Sequence, residues 1–313
     1  MSKLLATFFC ITAMLLSPTH SIEISKAAEI TAHEFIRSCK SITYIVTIEG
    51  SIVGGDAEKL SSNLMGRSVT SVLLNSPGGD VLEAMKISEL LNHRIITATA
   101  PIDLRKEHAG RIICGAFLLD SYYQPSDPRN CVCNSACAII WLTAPRRTGD
   151  YVGVHRPRFD YKYFSGLSTA EAEKKYGVMQ KTVEEFLSSH DVQNEIIARM
   201  MSIPSRDNYI LSSSELAHIG EERPFLGELL HAKCSAFHDE FNFLQAKRQL
   251  IDTRIAEIES KIELEGETAA TNAEDAALTQ DLIRWWNDWG QSNYNRCQSN
   301  ALGELREERQ TIQ

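Results

Sequence analysis

The sequence has 313 residues, with 32 Lys and Arg against 41 Asp and Glu, a formal net charge of −9, and 43% hydrophobic residues. That length carries one large domain or two smaller ones, and the composition is that of a folded globular chain, not a disordered one. The acidic balance and the lack of any basic stripe argue against a nucleic-acid partner, which needs clustered Lys and Arg to meet phosphates.

The chain begins with Lys3 and a short apolar run, LLATFFCITAMLL at 4–16, followed by the small and turn-forming Ser17, Pro18, Thr19, His20 and Ser21. This reads as a signal peptide over residues 1–22, because the run is shorter than the ~20 residues that span a bilayer. An uncleaved anchor is the alternative. Of the eight cysteines, Cys10 falls in that run and leaves Cys39, Cys114, Cys131, Cys133, Cys137, Cys234 and Cys297. Behind a signal peptide they point to disulfides in an oxidising compartment, and the odd number implies at least one free thiol or an intermolecular bond. Zinc at Cys131, Cys133 and Cys137 is the competing reading, but the spacing lacks the usual two-residue gap and no His stands nearby.

Residues 42–48 (ITYIVTI) read as a strand, 56–65 as a helix and 69–74 (VTSVLL) as a buried strand. The turn Asn75-Ser-Pro-Gly-Gly79 leads to a second helix, with Asp80 as N-cap, Glu83 three residues on, and Val81, Met85, Ile87 and Leu91 as its apolar positions. Residues 95–98 are the next predicted strand, and 101–131 an inserted loop. Residues 136–142 (ACAIIWL) predict a buried helix, and 151–155 a short strand. Ser168-x-x-Glu171 and Ser212-x-x-Glu215 are capping boxes. Alternating strands and helices predict a layered α/β domain over 23–225, with the insertion at about 101–131.

The remainder, 226–313, differs in kind. Phe237, Phe241, Leu244, Ile251, Ile255, Ile258 and Ile262 follow steps of four and three, interrupted at Arg248, which is a coiled-coil-like seam. A turn over 265–274 and a second helix with Leu278, Leu282, Trp285 and Trp289 complete an antiparallel hairpin. Cys234 and Cys297 flank its open end, so a disulfide between them is geometrically reasonable.

Three local features can carry chemistry. Ser76-Pro77-Gly78-Gly79 is either a plain strand–helix turn or a place where backbone N–H groups converge on an oxyanion at a helix N-terminus. Ser135, opening an apolar helix, is either an N-cap or a nucleophile with the Ala136 N–H beside it. His155, at the end of a strand and before Arg156-Pro157, is either structural or a general base, since imidazole titrates near neutrality.

Together the runs LLNSPGGDVLEAMKISELL, CNSACAIIWLTAPRR and YVGVHRP resemble the proteolytic subunit of Clp proteases, a crotonase-like family, and more closely its secreted or periplasmic relatives in bacteria. The resemblance covers about residues 42–222. It implies an α/β fold, a crotonase- or Clp-protease-like spiral of β-β-α units, here followed by the C-terminal helical hairpin. It implies a catalytic triad of Ser135, His155 and Asp207, with Asn208 as the alternative third member. Gly79 and Ala136 would supply the oxyanion N–H groups, and Gly78 the supporting turn. The implied activity is that of a serine hydrolase acting on a peptide or protein, with no cofactor, metal or nucleotide. A signal peptide would separate the chain from the ATPase partner of a Clp barrel, leaving homo-oligomerisation open. Three rivals stand beside this reading: an inactive scaffold whose tail binds a protein partner, an acyl-CoA enzyme, and a Ser–Lys peptidase using Lys174 or Lys181.

Overall fold

The computed structural model describes residues 27–38, 41–103, 112–114, 117–118, 121–122, 125–266 and 268–311. The expected signal peptide and Cys39 lie outside the described residues. In chain order the elements begin with β1 (Glu29–Ser38), β2 (Ser41–Glu49), α1 (Asp56–Leu64), β3 (Val69–Asn75), α2 (Val81–Arg94) and β4 (Thr97–Thr99). Next come four two-residue strands, β5 (Ile102–Asp103), β6 (Ile112–Ile113), β7 (Phe117–Leu118) and β8 (Ser121–Tyr122). The domain continues with β9 (Cys133–Asn134), α3 (Ala136–Thr143), β10 (Arg146–Thr148), β11 (Val152–Val154), α4 (Thr169–Ser189), α5 (Asn194–Ser202), β12 (Tyr209–Ile210) and α6 (Ser213–Ile219). The helices α7 (Pro224–Lys233), α8 (His238–Glu265), α9 (Ala269–Gln291) and α10 (Asn293–Thr311) end it.

The main sheet has the order β1-β2-β3-β4-β10. β1 is antiparallel to β2, and the β2–β3, β3–β4 and β4–β10 pairs are parallel. Parallel strands covered on both faces need continuous apolar runs, and β3 supplies one, with Val72, Leu73, Leu74 and Asn75 all buried. A second, smaller sheet has the order β12-β11-β9. Bridges at Ile52↔Gly79 and Ser76↔Cys133 lay the ends of the β2 and β3 segments alongside it. Between the sheets runs α3, whose eight residues are all buried, as expected of a helix apolar on every side.

Several expectations are corrected. Ile95 is not strand but the left-handed end of α2 (φ 51°), so β4 starts at Thr97. The 101–131 insertion holds two small hairpins, β5–β6 and β7–β8, and is held by the buried Glu49, which accepts from Ser126 Oγ at 2.6 Å and Asp127 N–H at 3.1 Å. Asp80 caps α2 as expected, but Glu83 closes no capping box there. Its carboxylate instead accepts from the Gly55 and Ala57 N–H groups at 3.0 and 2.8 Å, capping α1, whose own N-cap is a glycine without a side chain. Burial works to raise the Glu83 carboxyl, yet the Ala57 N–H, Lys86 and the Gly55 N–H together hold it below the ordinary value.

The tail is a three-helix arrangement rather than a hairpin alone. Leu244, Ile251 and Ile258 of α8 and Leu278 and Trp285 of α9 are buried along the seam. Arg248 interrupts that seam because its guanidinium lies 5.2 Å from the centre of the Trp285 ring, a cation–π contact. α8 runs to Glu265 and Thr268 already caps α9, so the turn closes well before the end of the expected 265–274 stretch. α10 then returns to the main domain, where Ala301 and Leu302 are buried with Leu226, Leu230 and Ile95. Arg306 and Arg309 donate to the Ile95 and Asn92 carbonyls at the end of α2, at 2.9 and 2.8 Å.

Arg147 on β10 locks the α3 end to the segment after α6. Its buried guanidinium donates to the carbonyls of Leu142, Gly220, Ile219 and Glu222. Burial, and then the neighbouring Arg223, pull its pKa down to about 10, so it stays charged at neutral pH.

Three cysteine pairs stand at disulfide distance: Cys114–Cys131, Cys133–Cys137 and Cys234–Cys297. The last is the pairing expected at the tail, and the first two take up all three cysteines of the closely spaced group. Such pairs suit an oxidising, non-cytosolic compartment. No helix among the described residues is long and apolar enough to cross a membrane.

Candidate active site

β9 and β11 run parallel, with Cys133 opposite Val152 and Asn134 opposite Gly153. Ser135 therefore leaves β9 beside Val154, one residue before His155. The Ser135 N–H donates to the Gly153 carbonyl at 2.9 Å and fixes that juxtaposition. On the other side, Ser76 N–H donates to the Val132 carbonyl (2.7 Å) and Asn134 N–H to the Ser76 carbonyl (3.1 Å). Three chain segments distant in sequence thus meet at one place: the Ser-Pro-Gly-Gly turn, Ser135 and the His155 strand.

Ser135 sits at φ 58°, ψ −120°, immediately before α3. An L-residue there is strained, at a cost of order 1–3 kcal/mol. Its hydroxyl makes no capping bond to α3, so the N-cap reading fails on geometry. The sharp strand–turn–helix geometry is of the kind that exposes a nucleophilic hydroxyl. Cys133 and Cys137, both fully buried, straddle it as a disulfide pair.

Gly78 and Gly79 have φ of 105° and 143°, both left-handed. The turn also presses close: a Cβ on Gly78 would stand 2.5 Å from Ser135 Cβ and 3.1 Å from Ala136 N, and one on Gly79 would strike the Ile52 backbone. Only glycine meets both demands. The two N–H groups differ in commitment. That of Gly78 donates to Ser76 Oγ at 3.1 Å, and its carbonyl accepts from Ile52 N–H at 2.8 Å. Those of Gly79 and of Ala136, at the start of α3, have no acceptor among the described residues. They are the pair assigned to an oxyanion, with Gly78 in support.

Asp80, next in the chain, ties this turn to the segment after His155. One carboxylate oxygen caps α2 through Leu82 and Glu83 N–H at 2.9 and 3.2 Å. The other accepts from Tyr163 Oη at 3.0 Å and Lys162 Nζ at 3.4 Å. Burial raises its carboxyl, but the Glu83 N–H, Tyr163 and Lys162 outweigh burial and hold it below the ordinary value.

His155 is partly exposed, and its Nδ1 lies 2.9 Å from the Arg156 carbonyl. A carbonyl only accepts, so Nδ1 is the donor there; in the neutral ring Nε2 then holds the lone pair, the tautomer a general base requires. Arg156 is itself anchored, its N–H donating to the Ile203 carbonyl at 2.9 Å. No hydrogen bond joins the His155 ring to the Ser135 hydroxyl.

No hydrogen bond or ion pair joins Asp207 to His155; the Asp207 side chain is exposed and lies 4.0 Å from the Arg206 guanidinium. The β11–β12 pairing, with Val154 opposite Tyr209 and Gly153 opposite Ile210, ends one residue short of both His155 and Asn208. The Asn208 amide lies over Gly153 beside the Asn134 amide, in the space a Cβ on Gly153 would take. Asn134 Oδ1 is buried there with no hydrogen-bond partner.

Sequence reasoning passed over the Cys133–Cys137 bridge, the Asp80–Tyr163 tie and the Arg156 carbonyl. The first had a signal, two cysteines spaced evenly about the serine. The others join groups whose proximity only folding creates. No protein-family model, curated protein or solved structure matches the chain.

Proposed function

We propose that the chain is a secreted or periplasmic, ATP-independent serine hydrolase of the Clp-protease type, acting on peptides or proteins. The observation that carries this reading is Ser135, held strained and with an uncommitted hydroxyl against the Gly78–Gly79 turn. A repeated order of main-sheet strand, short segment outside the main sheet and helix supports the crotonase-like spiral. It occurs as β2, Ser51–Ile52, α1, then β3, Ser76–Gly79, α2, and again as β10, β11, α4.

In this reading Ser135 Oγ attacks a carbonyl carbon while its proton passes to His155 Nε2. The oxyanion settles on the Gly79 and Ala136 N–H groups, His155 returns the proton to the leaving group, and water then releases the acyl chain from Ser135. The contact between Ser135 and His155 forms when substrate is bound, as catalytic hydrogen bonds often do. The Arg156 carbonyl holds the imidazole, and Asp207 or Asn208 is at most an auxiliary orienter. The exposed position of Asp207 also favours a second reading, an inactive scaffold whose helical tail binds a protein.

One assay separates them: turnover of fluorogenic peptides and activated acyl esters by the mature, oxidised chain. Hydrolysis that falls by about 10³-fold or more in Ser135→Ala supports the hydrolase. Hydrolysis that survives Ser135→Ala, or none by the parent chain, overturns it.

A further inference from the structure

We propose that the Cys133–Cys137 disulfide is the positioning element of the nucleophile, so that Ser135 is competent only in the oxidised chain. This rests on Ser135 being the nucleophile, and deepens that reading by naming what switches the site on. Cys133 begins β9, Cys137 is the second residue of α3, and both side chains are fully buried. The bridge closes a ring through Asn134, Ser135 and Ala136, the segment that holds φ 58° at Ser135.

A serine immediately before a helix has a more comfortable alternative. With φ in the ordinary negative range its hydroxyl accepts the N–H of the second or third helical residue, here Cys137 or Ala138. That relaxed state consumes the hydroxyl and carries the side chain away from the Gly78 turn. The backbone bonds at Asn134 and Ser135 fix β9, and the bond from Ile139 N–H to the Ser135 carbonyl at 3.3 Å is one that a capped serine makes as well, so neither selects the torsions between Ser135 and α3. The crosslink spans those torsions and withholds the capped state.

Closure is a two-electron exchange. The Cys133 and Cys137 thiols give up two protons and two electrons to a donor disulfide, a thiol oxidoreductase or small-molecule disulfide, which leaves as two thiols. A chain still reduced in the cytosol would have its serine capped, and a chain oxidised after export would have it free.

The test compares oxidised full-length mature protein with Cys133→Ala/Cys137→Ala, using Cys234→Ala/Cys297→Ala as the control for disulfide loss elsewhere. The rate of Ser135 labelling by a fluorophosphonate is expected to fall about tenfold to a hundredfold in the first pair and to stay within about twofold in the control. A second readout needs no activity. Ser135→Gly should melt a few degrees above Ser135→Ala while the bridge is present, because glycine tolerates φ 58°. That advantage should vanish without the bridge, where the turn relaxes. If the alanine pair does not fold, Cys133→Val/Cys137→Ala refills the volume. Equal labelling rates with and without the bridge overturn the proposal. If the parent chain takes no label the hydrolase reading fails instead, and persistence of the glycine advantage without the bridge then overturns the latch by itself.

Discussion

Among the serines that stand immediately before helices, Ser168, Ser212 and Ser135 do two different things. Ser168 and Ser212 have extended backbones, with φ of −67° and −72°, and each accepts the N–H of the glutamate three residues on in a closed capping box. Ser135 has φ 58° and caps nothing. The first two use their hydroxyls to stabilise helix ends, whereas the third keeps its hydroxyl uncommitted at a cost in backbone strain. The local residue type is the same, so the difference lies in what surrounds each turn: solvent and a glutamate in two cases, a Gly-Gly turn, a histidine strand and a disulfide in the third.

Ser135→Ala is the change that breaks the comparison most sharply. It should abolish turnover, by about 10³-fold or more, while leaving thermal stability almost unchanged because no capping bond is lost. His155→Ala comes next, with about 10²- to 10⁴-fold lost in kcat/KM and no change in melting. Asp207→Asn is expected to cost less than about tenfold, because the Arg156 carbonyl holds Nδ1. A loss near 10⁴, the scale for a true triad aspartate, would instead restore Asp207 to the triad.

The stability effects are smaller. Arg147→Ala leaves helix-end carbonyls buried without a donor and should lower unfolding free energy by about 3 kcal/mol, read by denaturant titration. Ser168→Ala and Ser212→Ala should each cost about 1 kcal/mol and nothing in turnover. Asp80 adds a pH signature. Its folded-state carboxyl lies below the ordinary value, so its contribution is present above about pH 4 and is lost as pH falls through the folded value. The stability gap between the parent and Asp80→Asn should therefore be largest at neutral pH and close on acidification. A gap that grows in acid would contradict the assignment.

Much of the scaffold was legible because its signals are local. The Val69–Asn75 strand is a continuous apolar run, the α2 cap is an Asp at the right place, and the α8 seam follows a heptad spacing. The strand β1 went unread because EITAHEFIRS alternates weakly and is completed only by β2. Glu83 looked like half of a capping box, but its carboxylate is drawn away by α1, whose glycine start cannot cap itself. At the site, the order of Ser76-Pro-Gly-Gly79, Ser135 and His155 was visible. The conformation of Ser135 was not, since nothing in Asn-Ser-Ala specifies a positive φ. The partner of His155 was hidden for a different reason: it is a main-chain carbonyl, which leaves no mark in residue identity.

The central claim is that the Ser135 hydroxyl is a nucleophile and not a cap. Its most direct test is covalent labelling of the mature, oxidised protein with a fluorophosphonate, followed by mapping of the modified residue by peptide mass. The adduct should form at Ser135 alone, slow markedly in His155→Ala, and be absent in Ser135→Ala, with Ser168 and Ser212 unmodified throughout. No adduct at Ser135 in the folded chain, or one that forms equally fast without His155, would contradict it.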